Sequence, residues 1–554
     1  MTWKLSEAMT YKKLYGILLL LASLLANQAA FAAKPAPPKD NKLVEIGQRI
    51  YREGLLPSGQ PLRAVVQGDL GLSGVQAACI KCHRRSGLGT IEGGSSVLPV
   101  TGTSLYQPGP AGLWQRFGFK TQSSDIFRPA YTDATLGKAI REGVTPTQRA
   151  LRAPMPKYAL GNEDMKALIA YLKTLSNAPS PGVDETTMHV ATVIAPDADP
   201  AERKAMLDVI EAYLKDKNSE TRGETRRRQT SKEVMFTSYR KLDLSVWELQ
   251  GAPETWEAQL VEKYRQRPVF ALVSGLAGNH WEPVHAFCEH TEVACLFPNT
   301  DVPVIQPDDF FTVYFSRGLS LEAEVLAKHL AAQAPSGPIV QVFRDTPKGA
   351  IAAEQFRQAL QAAGQTAPKE RKLGSDEKLD AKFWIELVKT EHPGALVLWL
   401  RSDDLAGAEA AGLDKVNTYL SASLVRDQVP QSLKALPNIH LVATWDTAEA
   451  RQPRVARAQV WLQSRKVPFT HEILQVDTFW TLLTVTDATK HLAGNFSPAY
   501  LIERIEDMTE SVGVLSIYPH LSLGPGQRFA AKSARVWKFS ADGTLMPASE
   551  WINP

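Results

Sequence analysis

Cys79-Ile80-Lys81-Cys82-His83 is the motif from which the fold of the first part of the chain can be predicted. Its two thiols, three positions apart, can form thioether bonds with both vinyl groups of one haem, while the histidine binds the iron from the same turn. A redox C-x-x-C would need a βαβ setting, which the flanking sequence lacks, and a zinc site would need a second pair of ligands. The motif therefore predicts one covalently bound haem c.

The iron of an electron-transfer haem needs a sixth ligand, and thioether sulfur raises the reduction potential relative to a second imidazole. Met155 is the candidate, because it lies in the run Ala153-Pro154-Met155-Pro156, where the prolines stiffen the loop. Met165 is the rival, but it lies in the apolar stripe of a predicted helix and is expected in the core. The predicted metal ligands are His83 and Met155.

The sequence around this motif predicts three amphipathic helices. Their apolar stripes at helical spacing are Leu43, Ile46 and Ile50; Leu136, Ala139 and Ile140; and Met165, Leu168, Ile169 and Leu172. Thr132 is expected to cap the second helix, because its hydroxyl can accept a bond from the first turn. Gly143 is expected to end it, because glycine tolerates the left-handed conformation. Long loops rich in Gly, Ser and Pro separate the helices, as expected around a cofactor.

These residues resemble class I cytochromes c over about 135 residues, Asn41 to Leu175. The similarity comprises C-x-x-C-H after a first helix, a Met-Pro-x-Tyr loop, and Ala170-Tyr171-Leu172 in the last helix. The resemblance implies an all-α class I cytochrome c domain that carries single electrons. It also implies that Gly47 of the first helix leaves room for Tyr171 of the last.

In this family a proline carbonyl in a Gly-Pro-x-Leu run often accepts a hydrogen bond from the axial imidazole. The corresponding run here is Gly102-Thr103-Ser104-Leu105, without the proline. Pro99 is the alternative, and the sequence leaves the acceptor for His83 open.

The first 32 residues read as a secretory signal peptide, with a basic start, the apolar stretch Leu14 to Ala26, and the small-x-small site Ala30-Phe31-Ala32. The apolar stretch is shorter than a membrane-spanning helix, so cleavage after Ala32 is favoured over a retained anchor. The mature protein is therefore expected in the periplasm. Haem attachment and lasting disulfides both suit that compartment.

Beyond a Pro/Ser linker at residues 176–187, apolar strands alternate with helices such as Leu321 to Ala331, Ala352 to Ala363 and Val476 to Leu492. The strand-like runs are Val190 to Ile194, Val269 to Val273, Ile339 to Phe343, Leu396 to Leu400 and Ile439 to Val442. Near-continuous apolar strands between helices indicate parallel sheets that are covered on both faces. The predicted domains are residues 33–175, and residues 188–554 as a two-lobed α/β domain.

This second part resembles type 1 periplasmic binding proteins, the two-lobed receptors of ABC transporters. The resemblance rests on element order, on a helix containing Thr478 to Leu483, and on the run Leu521 to Arg528 near the end. Ligands of such lobes bind outside the carboxyl ends of the strands. The candidate ligand-binding residues therefore follow strands, and they are Ser274, Asn279, Asn299, Arg401 and Trp445. The family's Ser/Thr-rich loop has no clear copy here, so the resemblance does not carry an amino-acid ligand.

Two cysteines remain after haem attachment, Cys288 and Cys295, and in an exported protein a local disulfide between them is expected. Two buried thiols are the alternative. Near them, His280, His285 and His290 recur every five residues. Because that spacing does not put the three rings on one helical face, a metal site made by them is not expected.

The composition excludes several classes of protein. Hydrophobic residues at 44% and charged residues at 22% are typical of soluble globular chains. A net charge of +3 argues against a dedicated nucleic-acid binder, and no segment after the signal is apolar for long enough to span a membrane.

The predicted function is a periplasmic monohaem cytochrome c that exchanges single electrons with a redox partner protein. The fused domain would bind a small solute or dock that partner, and no residue would act on a substrate. The alternative is a solute receptor whose haem reports redox state to a transport or sensing partner. A haem enzyme such as a peroxidase would need an open iron position, which Met155 would fill.

Overall fold

The computed structural model describes residues 39–66, 69–92, 95–108, 128–151, 153–176, 180–230, 238–374, 376–426, 428–512 and 515–554. These residues form two compact units, one within 39–176 and one within 180–554. The predicted signal peptide lies outside the described residues. Among the residues that the structure describes, no helix is long and apolar enough to cross a membrane.

The first unit contains five helices and five short strands among its described residues. Helices α1 to α5 are Lys39–Glu53, Ile80–His83, Gly102–Tyr106, Asp133–Glu142 and Asn162–Thr174. Strands β1 to β5 are Arg63–Val66, Leu70–Ser73, Ile91–Glu92, Ser95–Ser96 and Lys157–Tyr158. The side chain of Thr132 accepts a bond from the Thr135 amide, and Gly143 ends α4 at φ 72°, which confirms the predicted cap and end of this helix.

The expectation of an all-α first unit is corrected by the antiparallel sheet β2-β1-β5. In this sheet Ala64 lies opposite both Leu72 and Tyr158. The strands have only two to four residues each, too few for an alternating pattern to stand out in the sequence. They nevertheless have a function in the fold, because β5 ties the segment that follows Met155 to the hairpin β1-β2.

Helices α1 and α5 come into very close contact at Gly47. A Cβ atom at this position would lie 2.0 Å from the carbonyl oxygen of Ala167 and 2.8 Å from the Cβ of Tyr171. The rings of Tyr51 and Tyr171 pack beside this contact with centroids 5.2 Å apart. Only glycine allows the two helix backbones to meet this closely.

We predict that Gly47→Ala destabilises the first unit by about 3 kcal/mol or more, because the new methyl group overlaps a backbone oxygen that cannot move without shifting α5. The measurement is hydrogen exchange of the α5 amides in the full-length protein. Gly137→Ala is the matched control, since Gly137 is also helical and its added Cβ would lie at an ordinary 3.6 Å from Met165 Cγ. Equal exchange in the two variants would contradict the prediction.

The second unit has two lobes, each built on its own sheet. Strands β6 to β10 are Thr187–Ile194, Lys241–Glu248, Ala271–Val273, Ala294–Leu296 and Thr312–Val313. They form the parallel sheet of the first lobe, in the order β10-β9-β8-β6-β7. Strands β11 to β17 are Ile339–Arg344, Lys369–Leu373, Ala395–Trp399, Asn417–Ser421, Ile439–Ala443, Arg535–Phe539 and Leu545–Pro547. They form the sheet of the second lobe, in the order β12-β11-β13-β14-β15-β16-β17.

The second sheet is mixed, which corrects the expectation of parallel sheets. Its first five strands are parallel, but β16 runs antiparallel to β15, and β17 antiparallel to β16. A short turn closes β16 and β17 into a hairpin, where the Gly543 amide donates to the Ser540 carbonyl at 2.9 Å. Antiparallel strands need no crossover helix, so a strand–helix alternation does not reveal them.

Helices cover both sheets. Helices α6 to α16 are Pro200–Thr230, Trp256–Gln266, Glu282–Thr291, Leu319–Gln333, Pro347–Ala362, Ala381–Glu391, Ala422–Val425, Gln431–Lys434, Ala448–Ser464, Glu472–Lys490 and Pro498–Val512. After β15 the chain returns to the first lobe, where α15 packs on α6. At this contact the hydroxyls of Tyr213 and Thr486 lie 2.6 Å apart. Each of the five predicted strand runs overlaps an observed strand.

Candidate functional site

The C-x-x-C-H motif folds into one helical turn. The amide of His83 donates to the carbonyl of Cys79 at 2.9 Å, which keeps both thiols and the imidazole within this single turn. Neither Cys79 nor Cys82 forms a disulfide. Cys79 is half-buried and Cys82 is exposed.

The imidazole of His83 is oriented by a backbone carbonyl. Its Nδ1 lies 2.9 Å from the oxygen of Leu98. A neutral imidazole that donates from Nδ1 keeps a lone pair on Nε2, the atom that can bind iron. Desolvation lowers the pKa of His83 to about 4, although the bond to Leu98 opposes this shift. The ring is therefore neutral at pH 7 and able to act as a ligand.

The acceptor that the sequence left open is the residue before Pro99. The ring of Pro99 restricts Leu98 to extended conformations, which is a local reason for its carbonyl to have a fixed direction. The acceptor is therefore the carbonyl of Leu98, one residue before Pro99, and not a proline carbonyl.

The surroundings of this turn fit a porphyrin, which is large and mostly apolar. Leu98 is 51% exposed next to His83, although its side chain is apolar. Cys79, Ile80 and Met155 pack at the edge of one apolar core cluster. Burial raises the pKa of the Cys79 thiol to about 12, so no thiolate charge opposes an apolar group there. Cys79 and Cys82 would hold a haem by thioether bonds, and His83 would bind its iron.

The two methionines differ in their environment. Met155 is half-buried and packs at the edge of the same cluster as Cys79. Met165 is 4% exposed within that cluster, and its side chain lies against Gly137 of α4. The position of Met165 suits a packing role, as its place in the apolar stripe predicted.

Three of the five candidate ligand-binding residues lie on the first lobe. Ser274 is buried, and its hydroxyl lies 3.3 Å from that of Thr478 on α15. The amide of Asn299 donates to the Ser274 hydroxyl at 2.7 Å. Asn279 binds the carboxylate of Asp197 through its backbone amide at 2.9 Å. Within the described residues, each of these three side chains lies within hydrogen-bonding distance of another side chain of the first lobe.

The other two candidates lie on the second lobe. Arg401 is exposed where β13 ends, and Trp445 is buried just after β15. In the part of the chain that the structure describes, Ser274 and Asn299 are the only two of the five candidates whose side chains form a hydrogen bond with each other.

Sequence analysis missed four charged residues that meet where the lobes face each other. Arg426 of the second lobe lies 3.0 Å from Glu202 and 4.0 Å from Asp301, both of the first lobe. Lys348 of the second lobe lies 2.6 Å from Asp301. We call these four residues the cleft ion pairs. Burial opposes the ionisation of Asp301, but Lys348 and Arg426 outweigh it and hold the pKa of Asp301 below its usual range. Each of the four residues follows a strand, so the rule used for the other candidates could have found them.

We predict that the cleft ion pairs hold the lobes together, because the acids lie on one lobe and the bases on the other. Spin labels on exposed positions of the two lobes, Val261→Cys and Ile385→Cys, would report the distance between them. Arg426→Gln should lengthen this distance, as should raised salt.

The matched control is Lys372→Gln, which breaks an exposed ion pair with Asp345 inside the second lobe. This control should leave the distance unchanged. An unchanged distance in Arg426→Gln as well would show that other contacts close the lobes.

Glu322 is a buried carboxyl behind the cleft ion pairs. It accepts hydrogen bonds from the hydroxyls of Ser421 and Ser423 and from the Ser423 amide. Burial raises the pKa of Glu322 to about 8; the bonds from the two serines oppose this shift, and the charge of Asp301 adds to it. Glu322 is therefore largely protonated at pH 7.

We predict that the free energy of unfolding falls as the pH rises, because of Glu322. The unfolded carboxyl ionises near its usual 4.5, whereas the folded one keeps its proton up to about 8. Between these two pH values the free energy of unfolding falls by at most about 1.4 kcal/mol per pH unit. The stability linked to protonated Glu322 is complete below the lower value and lost on passing the upper one.

Glu322→Gln should remove this contribution, since an amide keeps acceptors and donors for the two serines without titrating. The measurement is denaturant unfolding of the second unit in the full chain at several pH values. Exposed Glu254→Gln is the control. The same slope with pH in wild type and Glu322→Gln would show that Glu322 is not the cause.

Sequence comparisons relate one part of this chain to a known family. A family model for cytochrome c matches residues 71–176. No curated protein matches the chain in sequence.

Solved structures resemble the second unit in fold. A branched-chain amino acid ABC transporter protein from Thermus thermophilus with bound valine is 12% identical and has a TM-score of 0.51, covering 67% of this chain and 98% of its own. A possible leucine/isoleucine/valine-binding protein from Rhodopirellula baltica is 13% identical, with the same coverages and a TM-score of 0.49. A fatty acid ABC transporter substrate-binding protein from Thermomonospora curvata is 14% identical, covering 68% and 95%, with a TM-score of 0.48. This chain thus contains a cytochrome c domain, and its second unit has the fold of type 1 periplasmic binding proteins.

Proposed function

We propose that this protein is a periplasmic cytochrome with one covalently bound haem c, which it uses to carry single electrons. The observation that carries the proposal is the hydrogen bond from His83 Nδ1 to the Leu98 carbonyl, on the turn that holds Cys79 and Cys82. This bond sets the tautomer and direction of the imidazole before any metal binds. When bound, the haem supplies a one-electron change at its iron.

Met155 is the sixth ligand in this proposal. Its half-buried position at the core edge shared with Cys79 supports the assignment, while the buried Met165 is left as a packing residue. His83 and Met155 together would leave the iron no open position for a substrate. The protein is therefore an electron carrier without substrate chemistry of its own.

A periplasmic location is supported by two features. The structure joins Cys288 and Cys295 by a disulfide, and such bonds persist in oxidising compartments. The haem motif points the same way, since haem c is attached outside the cytoplasm. The predicted signal peptide, residues 1–32, supplies the route of export.

The second unit would bind a small solute or a redox partner protein between its lobes. The fold supports this role, because ligands of parallel α/β lobes bind at the carboxyl ends of the strands. The cleft ion pairs occupy that place, so a bound group must exchange contacts with them. The alternative is a solute receptor whose haem reports redox state. The same two-lobed fold favours it, and a solute-dependent shift of the reduction potential would distinguish it from a simple electron carrier.

The test exchanges each methionine for leucine, a change that nearly conserves volume. We predict that Met155→Leu lowers the midpoint potential of the haem and lets added imidazole bind the iron, because the thioether ligand is gone. Met165→Leu should change neither property. Both are measured by potentiometric titration and by visible spectra of the full-length protein.

Imidazole binding to the wild type, or an unchanged potential in Met155→Leu, would overturn the assignment of Met155. Loss of ligation in Met165→Leu alone would move the assignment to Met165. Absence of covalently bound haem from the exported wild type would overturn the proposed function itself.

A further inference from the structure

We propose that His285, Glu289 and Asp309 form a binding site for a divalent transition-metal ion in the first lobe. His285 and Glu289 lie four residues apart on α8 and therefore share one face of this helix. Asp309 comes from the loop between β9 and β10. One ligand atom from each of the three residues lies within 4.8 Å of the other two.

The buried imidazole of His285 is the main evidence for this site. The residue is 4% exposed, and its Nδ1 lies 2.9 Å from the hydroxyl of Tyr314. Its Nε2 lies 3.0 Å from Asp309 Oδ2, yet this buried nitrogen lacks the geometry of a hydrogen bond. The carboxylate oxygen thus lies near Nε2 but off the direction in which this nitrogen would donate.

This arrangement is the one expected of two ligands around one ion. Ligand atoms bound at about 2.0–2.1 Å, with bond angles between the octahedral and the tetrahedral value, lie roughly 2.8–3.4 Å apart. Each ligand then points its lone pair at the ion rather than at the other ligand. The observed 3.0 Å separation falls in this range.

Glu289 is held in place as a metal ligand needs to be. Its Oε1 accepts hydrogen bonds from the amides of Phe311 and Thr312, each at 2.8 Å, and its Oε2 accepts one from Phe310 at 3.0 Å. These bonds use three of the carboxylate's roughly four lone-pair directions and leave one on Oε2. Outer hydrogen bonds of this kind orient ligands and increase their affinity for the metal.

The charge of the cluster is also unbalanced. Among the described residues, no Lys or Arg forms an ion pair with Glu289 or Asp309. The two carboxylates carry a charge that a dication would neutralise. One nitrogen and two oxygen ligands suit ions such as Zn²⁺ or Mn²⁺.

The site is both rigid and reachable. The disulfide from Cys288 to Cys295 ties α8 to β9 beside His285 and Glu289. The loop that carries Asp309 runs along the surface, where Ile305 and Asp308 are exposed. An ion can therefore enter from the loop side without unfolding the lobe.

The experiment uses Zn²⁺ as the probe on full-length protein that has been treated with a chelator. Wild type should bind one Zn²⁺ per chain in competition with a chelating dye. Asp309→Asn and His285→Gln should weaken the affinity by at least about 100-fold, since each removes one of three ligands. His290→Gln is the matched control, because His290 is exposed on the same helix and pairs with Glu257.

Zn²⁺ should also raise the unfolding temperature of the wild type and of His290→Gln, but not that of the two site variants. Near-ultraviolet circular dichroism checks that the site variants are folded, and if His285→Gln is not, Asp309→Asn on the loop decides. The proposal is overturned if the wild type binds no Zn²⁺, or if either folded site variant binds it as tightly as the control.

Discussion

The close contact of α1 with α5 at Gly47 is the constraint on which the first unit depends. It brings Tyr51 against Tyr171 at the centre of the core. The hydroxyl of Tyr51 then donates to the carbonyl of Arg84 at 2.7 Å, in the residue directly after His83. Backbone packing between two helices is thereby transmitted to the turn that would hold the haem. The far side of this turn is held by the bond from His83 to Leu98, so both ends of the motif are fixed by contacts distant in sequence.

The second unit depends on a different constraint, the meeting of parallel strands at their carboxyl ends. That geometry places the cleft ion pairs where two sheets face each other, with acids on one side and bases on the other. It also buries Glu322, which remains protonated because its surroundings exclude water. The cost of burying a charged carboxylate is offset at Asp301 by the opposite charges of Lys348 and Arg426. At Glu322 the carboxyl avoids this cost by keeping its proton.

Under the proposed function, a solute or partner that enters the cleft competes for Arg426 and Lys348 or for the acids that they pair with. The proposed metal site lies in the same lobe as Glu202 and Asp301, on elements stiffened by a disulfide.

Several features could be predicted from residues that are neighbours in the chain: the C-x-x-C-H turn, the cap at Thr132, the end at Gly143, and the order of the predicted strands and helices. Gly47 and Tyr171 were assigned through resemblance, and their close packing is seen in the structure. Three other features are seen only in the folded chain. The Leu98 carbonyl faces His83, β16 and β17 run antiparallel, and Ser274 is buried against Thr478. The fold also places His285 beside the carboxylates of Glu289 and Asp309. The spacing of the three histidines in the sequence did not predict this group. The physical reason is range: backbone preferences and caps act over a few residues, whereas ion pairs, ligand sets and strand partners join groups whose distance along the chain carries no local signal.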